Sequence, residues 1–498
     1  MKRNNHIIFI YLHLVNLKKF KTMKKFLILC AAVGLFSCAD NTPEPAPVYP
    51  IPAQKQVEWQ KMETYAFIHF GLNTFNDMEW GFGDTDPKTF NPTHLDARQW
   101  VRTLVAAGMK GVIITAKHHD GFCLWPTTLT DYNITHSSYN GDVVGELASA
   151  CREYGLKFGV YLSPWDRNRA DYGSASYVEY YHAQLKDLLT RYGDIFEIWF
   201  DGANGGDGYY GGAVEHRSID RRNYYDFPRA WATVEELQPN AICFSDAGPG
   251  CRWVGNEDGK AGTTNWSFLR AAEVYPGYPN IDELNVGHPD GDAWLPAECD
   301  VSIRPGWFYH ESEDDEVKTA DYLVDLYYQS VGRNGNLLLN FPVNKEGLIS
   351  KTDSINAVTF HQRIMQELSH NLLLGAKVEA SDKRGRRFAA TLANDGDFDT
   401  YWATPDNVNT GSLTFTFNQP QSVTRLLLQE YIPLGQRVKS FNVEYQHEGN
   451  WQSLTLDEET TTIGYKRILR FPKVTTSAIR VNFTDARGPL CISEVAAY

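Results

Sequence analysis

The stretch that decides the fold is Gly111-Val-Ile-Ile-Thr-Ala-Lys-His-His-Asp-Gly-Phe122, an apolar run that ends in charged and polar residues. Residues 111–116 are apolar almost throughout, which is typical of a parallel strand buried on both faces. Before this run, apolar residues recur at three- and four-residue spacing from Ala97 to Val105, and Gly108 marks the end of the pattern. The segment therefore predicts an amphipathic helix followed by a buried strand.

The same alternation extends from about residue 60 to about residue 365. Further strands are predicted at 65–70, 157–162, 195–200, 241–244 and 336–341, and further helices at 143–154, 177–191, 223–237 and 320–331. Such alternation over roughly 300 residues is typical of a doubly wound sheet or a (β/α)8 barrel. Neither a dinucleotide-binding nor a P-loop glycine motif follows the first strand, which disfavours both of those readings.

The pattern changes after about residue 370. Leu413, Phe415 and Phe417 alternate with threonines, and similar short strands are predicted at 424–429, 440–445, 467–471 and 479–483. This pattern is typical of an antiparallel β-sandwich. The predicted fold is therefore α/β over residues 55–365, followed by an all-β, jelly-roll sandwich over 371–498.

The first 54 residues are predicted to be a signal region, 1–37, and a tether, 38–54. Met23-Lys24-Lys25, the preferred start, precedes an apolar run at 26–36 that is too short to span a bilayer and is typical of a signal peptide. Leu35-Phe36-Ser37-Cys38 resembles a bacterial lipobox, which implies lipidation of Cys38. The prediction is an exported lipoprotein at the periplasm, outer membrane or cell surface, touching the membrane only through its lipid. A single long signal-anchor is the alternative.

Composition and charge restrict the function. The formal net charge of −14 disfavours nucleic acids and polyanionic substrates, which need a surplus of Lys and Arg. Most of the 13 Trp and 27 Tyr are expected to pack in the core, but aromatic rings also stack on sugars. The Cys residues form no CxxC pair, so neither a zinc site nor a dense disulfide framework is predicted. Cys243 and Cys251 could pair or remain free.

Polar residues follow several of the predicted strands directly. His69 ends the first strand, and His118 and His119 follow the second; Trp165 and Asp201 follow later ones. Because the carboxyl ends of barrel strands share one rim, these side chains are expected to converge. Neighbouring histidines on one loop diverge and no H-E-x-x-H is present, so hydrogen bonding to several hydroxyls is preferred over metal binding.

A carboxylate at the end of an apolar strand suits a nucleophile. Asp201 has this position, and Gly202 beside it is expected to leave room for a substrate. Glycosidase chemistry also needs a second carboxylate as the acid/base. The downstream candidates are Asp246, Glu257, Asp258 and Glu298, and their spacing alone does not choose among them.

Three segments together resemble the α-L-fucosidases of glycoside hydrolase family 29: Phe67–Gly71 with Glu79-Trp80, His118–Phe122, and Trp199–Gly202. The resemblance runs from about Glu58 to Gly347. It implies a retaining glycosidase on a (β/α)8-like barrel, without a cofactor for catalysis and with Asp201 as the nucleophile. The residues that it assigns to sugar binding are His69, Glu79, Trp80, His118, His119, Tyr161, Trp165, Arg252 and Trp307.

The segment Arg252–Glu257 resembles the one that carries the acid/base in the subgroup acting on α-1,3/1,4-linked fucose. This resemblance selects Glu257, with Glu298 as the competitor. The implied partners are fucosylated oligosaccharides or glycoconjugates, and no oligomeric state is predicted. One alternative is a glycosidase acting on a related sugar such as an α-L-galactoside. Another is a non-catalytic glycan-binding lipoprotein, which the presence of both carboxylates disfavours.

The tail resembles a discoidin-like, factor 5/8 type C domain, also called carbohydrate-binding module family 32. The matching segments are Leu392–Asp397, Thr400–Trp402 and Ile492–Val495. The resemblance implies a structural Ca²⁺, with a plain β-turn as the alternative, and it leaves open whether this domain binds sugar. The implied oxygen donors are Asp395, Asp397, Thr400 and Glu494.

Overall fold

The computed structural model describes residues 41–498, so the predicted signal region and Cys38 lie outside the described residues. Pro45–Arg384 and Phe388–Tyr498 form one compact unit, which contains both predicted domains. A second unit contains Gly385–Arg387 and, among the described residues, 41–44. Within residues 41–498, every helix is too short or too polar to cross a membrane.

Eight parallel strands close into a barrel, as predicted. Adjacent strands pair in parallel all the way round, with Ala66 opposite Val112 where the first two strands meet. In their order around the barrel the strands are Thr64–Ile68, Gly335–Asn340, Ala297–Ser302, Cys251–Trp253, Ile242–Ser245, Glu197–Trp199, Lys157–Leu162 and Gly111–Lys117.

Helices alternate with these strands along the chain. One of these helices, Ala97–Ala106, begins after Asp96, whose side chain accepts a hydrogen bond from the Gln99 backbone N–H. The helix buries Trp100, Val101 and Leu104. Residues 246–250 join two neighbouring strands without a helix, so the barrel is (β/α)8-like. The α-helices are Gln54–Gln60, Leu72–Asn76, Ala97–Ala106, Val143–Tyr154, Ala175–Arg191, Phe227–Leu237, Ile281–Val286, Ala320–Gln329 and Lys351–Glu367.

Two barrel strands, Cys251–Trp253 and Ala297–Ser302, were not predicted. The second is buried throughout, but Glu298, Asp300 and Ser302 interrupt its apolar residues. The first is only three residues long and contains a buried arginine. Neither strand therefore has the continuous apolar run by which buried parallel strands are identified.

The described residues also form shorter elements outside the barrel sheet. Two antiparallel ribbons pair Gly205–Gly208 with Glu215–Ser218, and Phe268–Leu269 with Ala293–Trp294. Cys243 and Cys251 are both buried free thiols, so they do not pair. The 3-10 turns are Pro87–Thr89, Ile134–His136, Tyr210–Gly212, Glu311–Glu313, Arg386–Phe388, Ala390–Ala393 and Ile432–Leu434.

The C-terminal domain, called the β-domain below, is an antiparallel sheet structure, as predicted. Two long strands, Gly411–Glu430 and Arg467–Ala486, each contain two of the predicted short strands, because irregular pairing bends them without ending them. Their inward residues, such as Leu413 and Phe415, form the core of the domain. The other strands are Lys377–Ala380, Trp402–Ala403, Val438–His447, Asn450–Ser453 and Cys491–Ala497.

The second half of the predicted tether lies against the β-domain. Arg437 donates to the Ala46 carbonyl at 2.9 Å, and the Val48 N–H donates to the Leu434 carbonyl at 2.9 Å. Pro45, Pro50 and Pro52 are buried. Residues 45–52 are thus a packed arm of the folded unit.

Candidate active site

A pocket opens at the carboxyl-terminal rim of the barrel, where the sequence places its polar residues. It contains about 460 Å³ of space not filled by atoms, including solvent at its open mouth. Aromatic rings, imidazoles and carboxylates together form its wall. The lining residues are Phe67, His69, Glu79, Trp80, His118, His119, Trp199, Asp201, Glu257, Asp300 and Trp307.

Asp201 lies just beyond the strand Glu197–Trp199, and both of its carboxylate oxygens are held. The Tyr161 hydroxyl donates to Oδ2 at 2.9 Å, and the Ala203 backbone N–H donates to Oδ1 at 2.7 Å. His119 Nε2 is 3.8 Å from Oδ2. The carboxylate is fixed in orientation but remains partly exposed to the pocket, as a nucleophile must be.

Gly202 does not make room for a substrate, in contrast to the prediction. A Cβ atom at this position would stand 2.2 Å from Oδ2 of Asp246. Asp246 itself accepts a hydrogen bond from the Gly277 N–H at 2.5 Å. Burial raises the pKa of Asp246 to about 7, and the charge of Asp201 adds to this effect. The space beside Gly202 is therefore occupied by the carboxyl group of Asp246, which would have to shift for any larger residue at position 202.

Three histidines converge in the wall of the pocket. The ring centroids of His118 and His119 are 4.0 Å apart, and those of His69 and His118 are 5.7 Å apart. Burial lowers the pKa of His69 to about 3 and that of His119 to about 4. The imidazoles are therefore neutral near pH 7, and each can donate from one nitrogen and accept at the other. Such groups suit a neutral ligand with several hydroxyls.

Glu257 lies at the mouth of the pocket and reaches solvent. The Trp307 indole N–H donates to its Oε2 at 3.2 Å. Partial burial raises the pKa of the Glu257 carboxyl, and the charges of Asp201 and Glu79 raise it further. A carboxyl that retains its proton above the usual range for glutamate is suited to general acid catalysis.

Glu79 lines the pocket, but its carboxylate chiefly holds a neighbouring rim loop. Its two oxygens accept the backbone N–H groups of Trp307 and Phe308, at 2.8 and 3.0 Å. His310 bonds to Glu79 at 2.7 Å and to Asp77 at 2.7 Å. This histidine clasp, formed by Asp77, Glu79 and His310, joins the loop after the first barrel strand to the loop that carries Trp307.

Two predicted sugar contacts lie directly behind the lining residues. Tyr161 is fully buried and reaches the pocket only through its hydrogen bond to Asp201. Trp165 is 2% exposed and packs at right angles against Trp80, with ring centroids 5.7 Å apart. Trp80, 54% exposed, is the aromatic face that remains open at the rim.

Arg252 does not lie in the pocket, which corrects the prediction that it contacts sugar. It is 0% exposed, and its guanidinium donates to the Leu284 and Leu295 carbonyls and to Oδ1 of Asn265. All of these partners belong to the protein scaffold. The resemblance that indicated Arg252 concerned the segment around Glu257, and the structure places only the glutamate of that segment in the pocket wall.

Glu298, the competing acid/base, is buried beneath the pocket and does not line it. Its carboxylate accepts the Tyr65 hydroxyl and, at 2.7 Å, the Trp199 indole N–H. Burial raises the pKa of Glu298, and burial together with the neighbouring carboxylate raises that of Glu197 well above the usual range. The Glu197 and Glu298 carboxyl groups are buried neighbours, so they cannot both be ionised.

Three lining residues were not predicted: Phe67, Trp199 and Asp300. Phe67 and Trp199 each stand two positions before a predicted residue, His69 and Asp201. Because alternate residues of a strand face the same side, this spacing could have identified both. Asp300 lies on a strand that was not predicted. It accepts the Trp253 indole N–H at 2.7 Å, and burial raises its pKa well above the usual range.

Three of the four implied calcium donors, Asp395, Thr400 and Glu494, lie around residues 395–400 of the β-domain. The Thr400 hydroxyl donates to Asp395 at 2.7 Å, and Glu494 accepts the Gly396 N–H at 3.0 Å. Burial raises the pKa of Glu494 to about 7, and the Asp395 charge adds to this. Asp397 instead accepts the Asp399 N–H, at 3.0 Å. Two adjacent carboxylates and a hydroxyl are the donor type that Ca²⁺ prefers.

Comparison with known proteins gives consistent matches for both domains. Residues 47–358 match the alpha-L-fucosidase family, and residues 377–496 match the F5/8 type C domain. Alpha-L-fucosidase 1 of Arabidopsis thaliana is 42% identical over 466 residues, covering 92% of this chain and 89% of the relative.

Solved structures agree in fold over almost the same length. A glycoside hydrolase 29 family member from an unknown rumen bacterium is 44% identical with a TM-score of 0.82, covering 91% of this chain and 78% of that one. A Ruminococcus gnavus family 29 fucosidase in complex with fucose is 32% identical with a TM-score of 0.83, covering 92% and 97%. Because the family match spans more than half of the sequence and includes every barrel strand, the chain belongs to the α-L-fucosidases of glycoside hydrolase family 29 and carries a C-terminal F5/8 type C domain.

Proposed function

We propose that this chain is a retaining exo-α-L-fucosidase that releases terminal fucose from α-1,3/1,4-linked glycans. The observation that carries the proposal is the presence of Asp201 and Glu257 in one small pocket whose remaining wall consists of aromatic rings, imidazoles and the carboxyl groups of Glu79 and Asp300. Asp201 is held in a fixed orientation, and Glu257 has a raised pKa at the mouth. These are the different environments that a nucleophile and an acid/base need.

In the proposed reaction, an Asp201 oxygen attacks C1 of the fucoside while Glu257 donates its proton to the departing glycosidic oxygen. The C1–O bond to the leaving group breaks, and an ester bond between fucose and Asp201 forms. Glu257, now ionised, then takes a proton from water as that water attacks C1. The ester breaks, Asp201 is regenerated, and fucose leaves with its original configuration.

The wall of the pocket supports a neutral sugar as the ligand. Neutral His69, His118 and His119 can bind several hydroxyls without favouring an anion. The exposed Trp80 ring and the Trp307 ring offer apolar faces for the C–H side of a sugar. The acidic net charge of the chain agrees with a neutral substrate.

The linkage part of the proposal is tested by fucose release from three oligosaccharides at equal concentration. We expect the Lewis a and Lewis x trisaccharides to be cleaved much faster than 2′-fucosyllactose, which carries α-1,2-linked fucose. Preferred cleavage of 2′-fucosyllactose would contradict the linkage. Faster hydrolysis of a nitrophenyl α-L-galactoside than of the corresponding fucoside would instead favour the related-sugar alternative.

Anchoring at Cys38 and calcium binding in the β-domain complete the proposal. The lipobox-like residues 35–38 support the first, and the oxygen donors around Asp395 and Glu494 support the second. Cys38→Ala is expected to move the fucosidase from the membrane fraction to the soluble fraction. Calcium is expected to raise the Tm of the wild type, and this increase should be smaller in Glu494→Gln.

A further inference from the structure

The chain that leaves Glu257 runs directly onto the β-domain. The Asn265 backbone N–H donates to Oγ1 of Thr462 at 2.8 Å. Gln436 accepts the Ser267 N–H at 2.8 Å and donates to the Asn265 carbonyl at 3.0 Å. Residues 265–267 of the barrel are thus hydrogen-bonded through their backbone to two side chains of the β-domain.

These contacts are buried and cannot be replaced by water. Gln436 is 0% exposed, Thr462 is 2% exposed and Asn265 is 1% exposed. Arg467, also buried, adds a hydrogen bond to the Thr263 carbonyl at 2.7 Å. Because an unpaired backbone group in such a place is costly, the path of residues 263–267 depends on the β-domain.

Residues 265–267 are in turn tied to the loop that carries Glu257. Arg252, just before the loop, donates to Oδ1 of Asn265 at 2.9 Å. The Trp266 N–H donates to the Val286 carbonyl at 2.8 Å, at the end of helix Ile281–Val286. From the same helix, Asn285 donates to the carbonyls of Val254 and Lys260, both at 3.0 Å, which bracket Glu257.

We propose that the β-domain positions the acid/base, with Gln436 and Thr462 holding residues 265–267 and thereby holding Glu257 at the pocket mouth. The inference rests on the proposed role of Glu257. It gives the β-domain a part in catalysis that does not require sugar binding by that domain. Gln436 and Thr462 are positioning residues, because they act on the reaction only through the Glu257 loop.

The test uses the full-length enzyme and variants that remove these hydrogen bonds with little change in volume. Thr462→Val and Gln436→Met remove the contacts, and Thr462→Ser retains the hydroxyl. Arg425→Met is the matched control, because Arg425 joins the β-domain to Glu367 at 2.7 Å and to Tyr328 at 2.8 Å. It thus breaks a contact between the domains without touching residues 263–267.

The measurement is kcat/KM for aryl fucosides of graded leaving-group pKa, at a temperature well below every variant's Tm. General acid catalysis assists poor leaving groups most. Thr462→Val and Gln436→Met should therefore lower kcat/KM about tenfold for the least activated substrate and less than about twofold for the most activated one. Thr462→Ser should restore the wild-type dependence. Arg425→Met should lower the Tm and leave the dependence unchanged.

Two results would overturn the inference: equal losses on all substrates, or the same leaving-group dependence in Arg425→Met. If Thr462→Val does not fold, Gln436→Met decides the question. Glu257→Gln, measured in parallel, distinguishes a failure of the positioning role from a failure of the proposed acid/base role. A steep leaving-group dependence in Glu257→Gln but not in the β-domain variants rejects the positioning role alone. No such dependence in Glu257→Gln rejects the proposed acid/base itself.

Discussion

At the scale of single residues, Asp201 and Glu298 are both carboxylates with aromatic hydrogen-bond donors, but they occupy opposite environments. Asp201 is bonded by the Tyr161 hydroxyl and remains 22% exposed to the pocket. Glu298 is bonded by Tyr65 and Trp199 and is 0% exposed. Substitution of the accessible Asp201 should therefore lower activity, whereas substitution of the buried Glu298 should lower stability.

Asp201→Asn should fold normally and lose activity. The change is isosteric, and the amide oxygen can still accept the Ala203 N–H while the Tyr161 hydroxyl accepts from the amide NH2. An amide oxygen cannot form the covalent ester. We expect kcat to fall by about three decades or more, with a Tm close to that of the wild type. Steady-state kinetics and thermal unfolding of the same preparation check this. Retention of a tenth of the wild-type activity would exclude Asp201 as the nucleophile.

Glu298→Ala should destabilise the fold. It leaves the Tyr65 hydroxyl and the Trp199 N–H without a partner in a dry interior, which costs about 3 kcal/mol or more. Glu257→Ala removes a side chain at the pocket mouth and should cost under about 0.5 kcal/mol. Urea unfolding of the two variants gives both values. Equal stability of the two variants would show that Glu298 is not a structural carboxylate.

At the scale of elements, the histidine clasp links two rim loops with a titratable group. Burial alone would lower the pKa of His310, but hydrogen bonds to Asp77 and Glu79, with the charges of Glu79 and Glu313, outweigh burial and raise it above 6.5. A raised pKa in the folded state means that folding favours the protonated form. The stabilisation from the clasp is therefore complete below pH 6.5 and is lost as the pH rises through the raised value.

His310→Gln should accordingly lower the free energy of unfolding more at about pH 5.5 than at about pH 9. His216→Gln is the matched control, because His216 bonds to Asp207 at 3.0 Å but its side chain is 64% exposed. An exposed pair of this kind contributes little to stability. Urea unfolding across this pH range measures both variants. If the loss of unfolding free energy in His310→Gln does not vary with pH, the clasp stabilises the fold without the charge of His310.

At the scale of the whole molecule, the barrel and the β-domain share a buried polar interface. Asn334 accepts the Tyr465 N–H at 2.8 Å, and Gln436 bonds to the barrel backbone at Asn265 and Ser267. Lys466 and Glu63 form an ion pair across the same interface. Domains that meet only through a small exposed surface move independently, whereas these groups would be left unpaired if the domains separated.

We therefore expect the barrel and the β-domain to unfold together. Differential scanning calorimetry should show one transition, with the calorimetric enthalpy equal to the van't Hoff enthalpy. Weakening the interface with Arg425→Met should shift that transition downward without splitting it. Two transitions in the wild type would contradict a single cooperative unit and would weaken the positioning role proposed for Gln436 and Thr462.

The sequence by itself determined the classes of both domains and most of the pocket. Six barrel strands could be predicted because parallel strands buried on both faces must be apolar, and that requirement is local. His69, His118, His119 and Asp201 followed from the rule that the carboxyl ends of barrel strands share one rim. The strand Ala297–Ser302 was missed because its inward residues are polar, which removes the local signal.

Only the tertiary structure decided which partners each side chain finds. Arg252 and Glu257 belong to one short segment, yet Arg252 is buried against the protein scaffold and Glu257 lines the pocket. Gly202 accommodates Asp246 from the turn after the neighbouring barrel strand, and Glu79 holds the loop of Trp307. Such contacts join residues far apart in the chain, and their free energies depend on burial and distance. Neither quantity exists until the barrel has closed and the β-domain has packed against it.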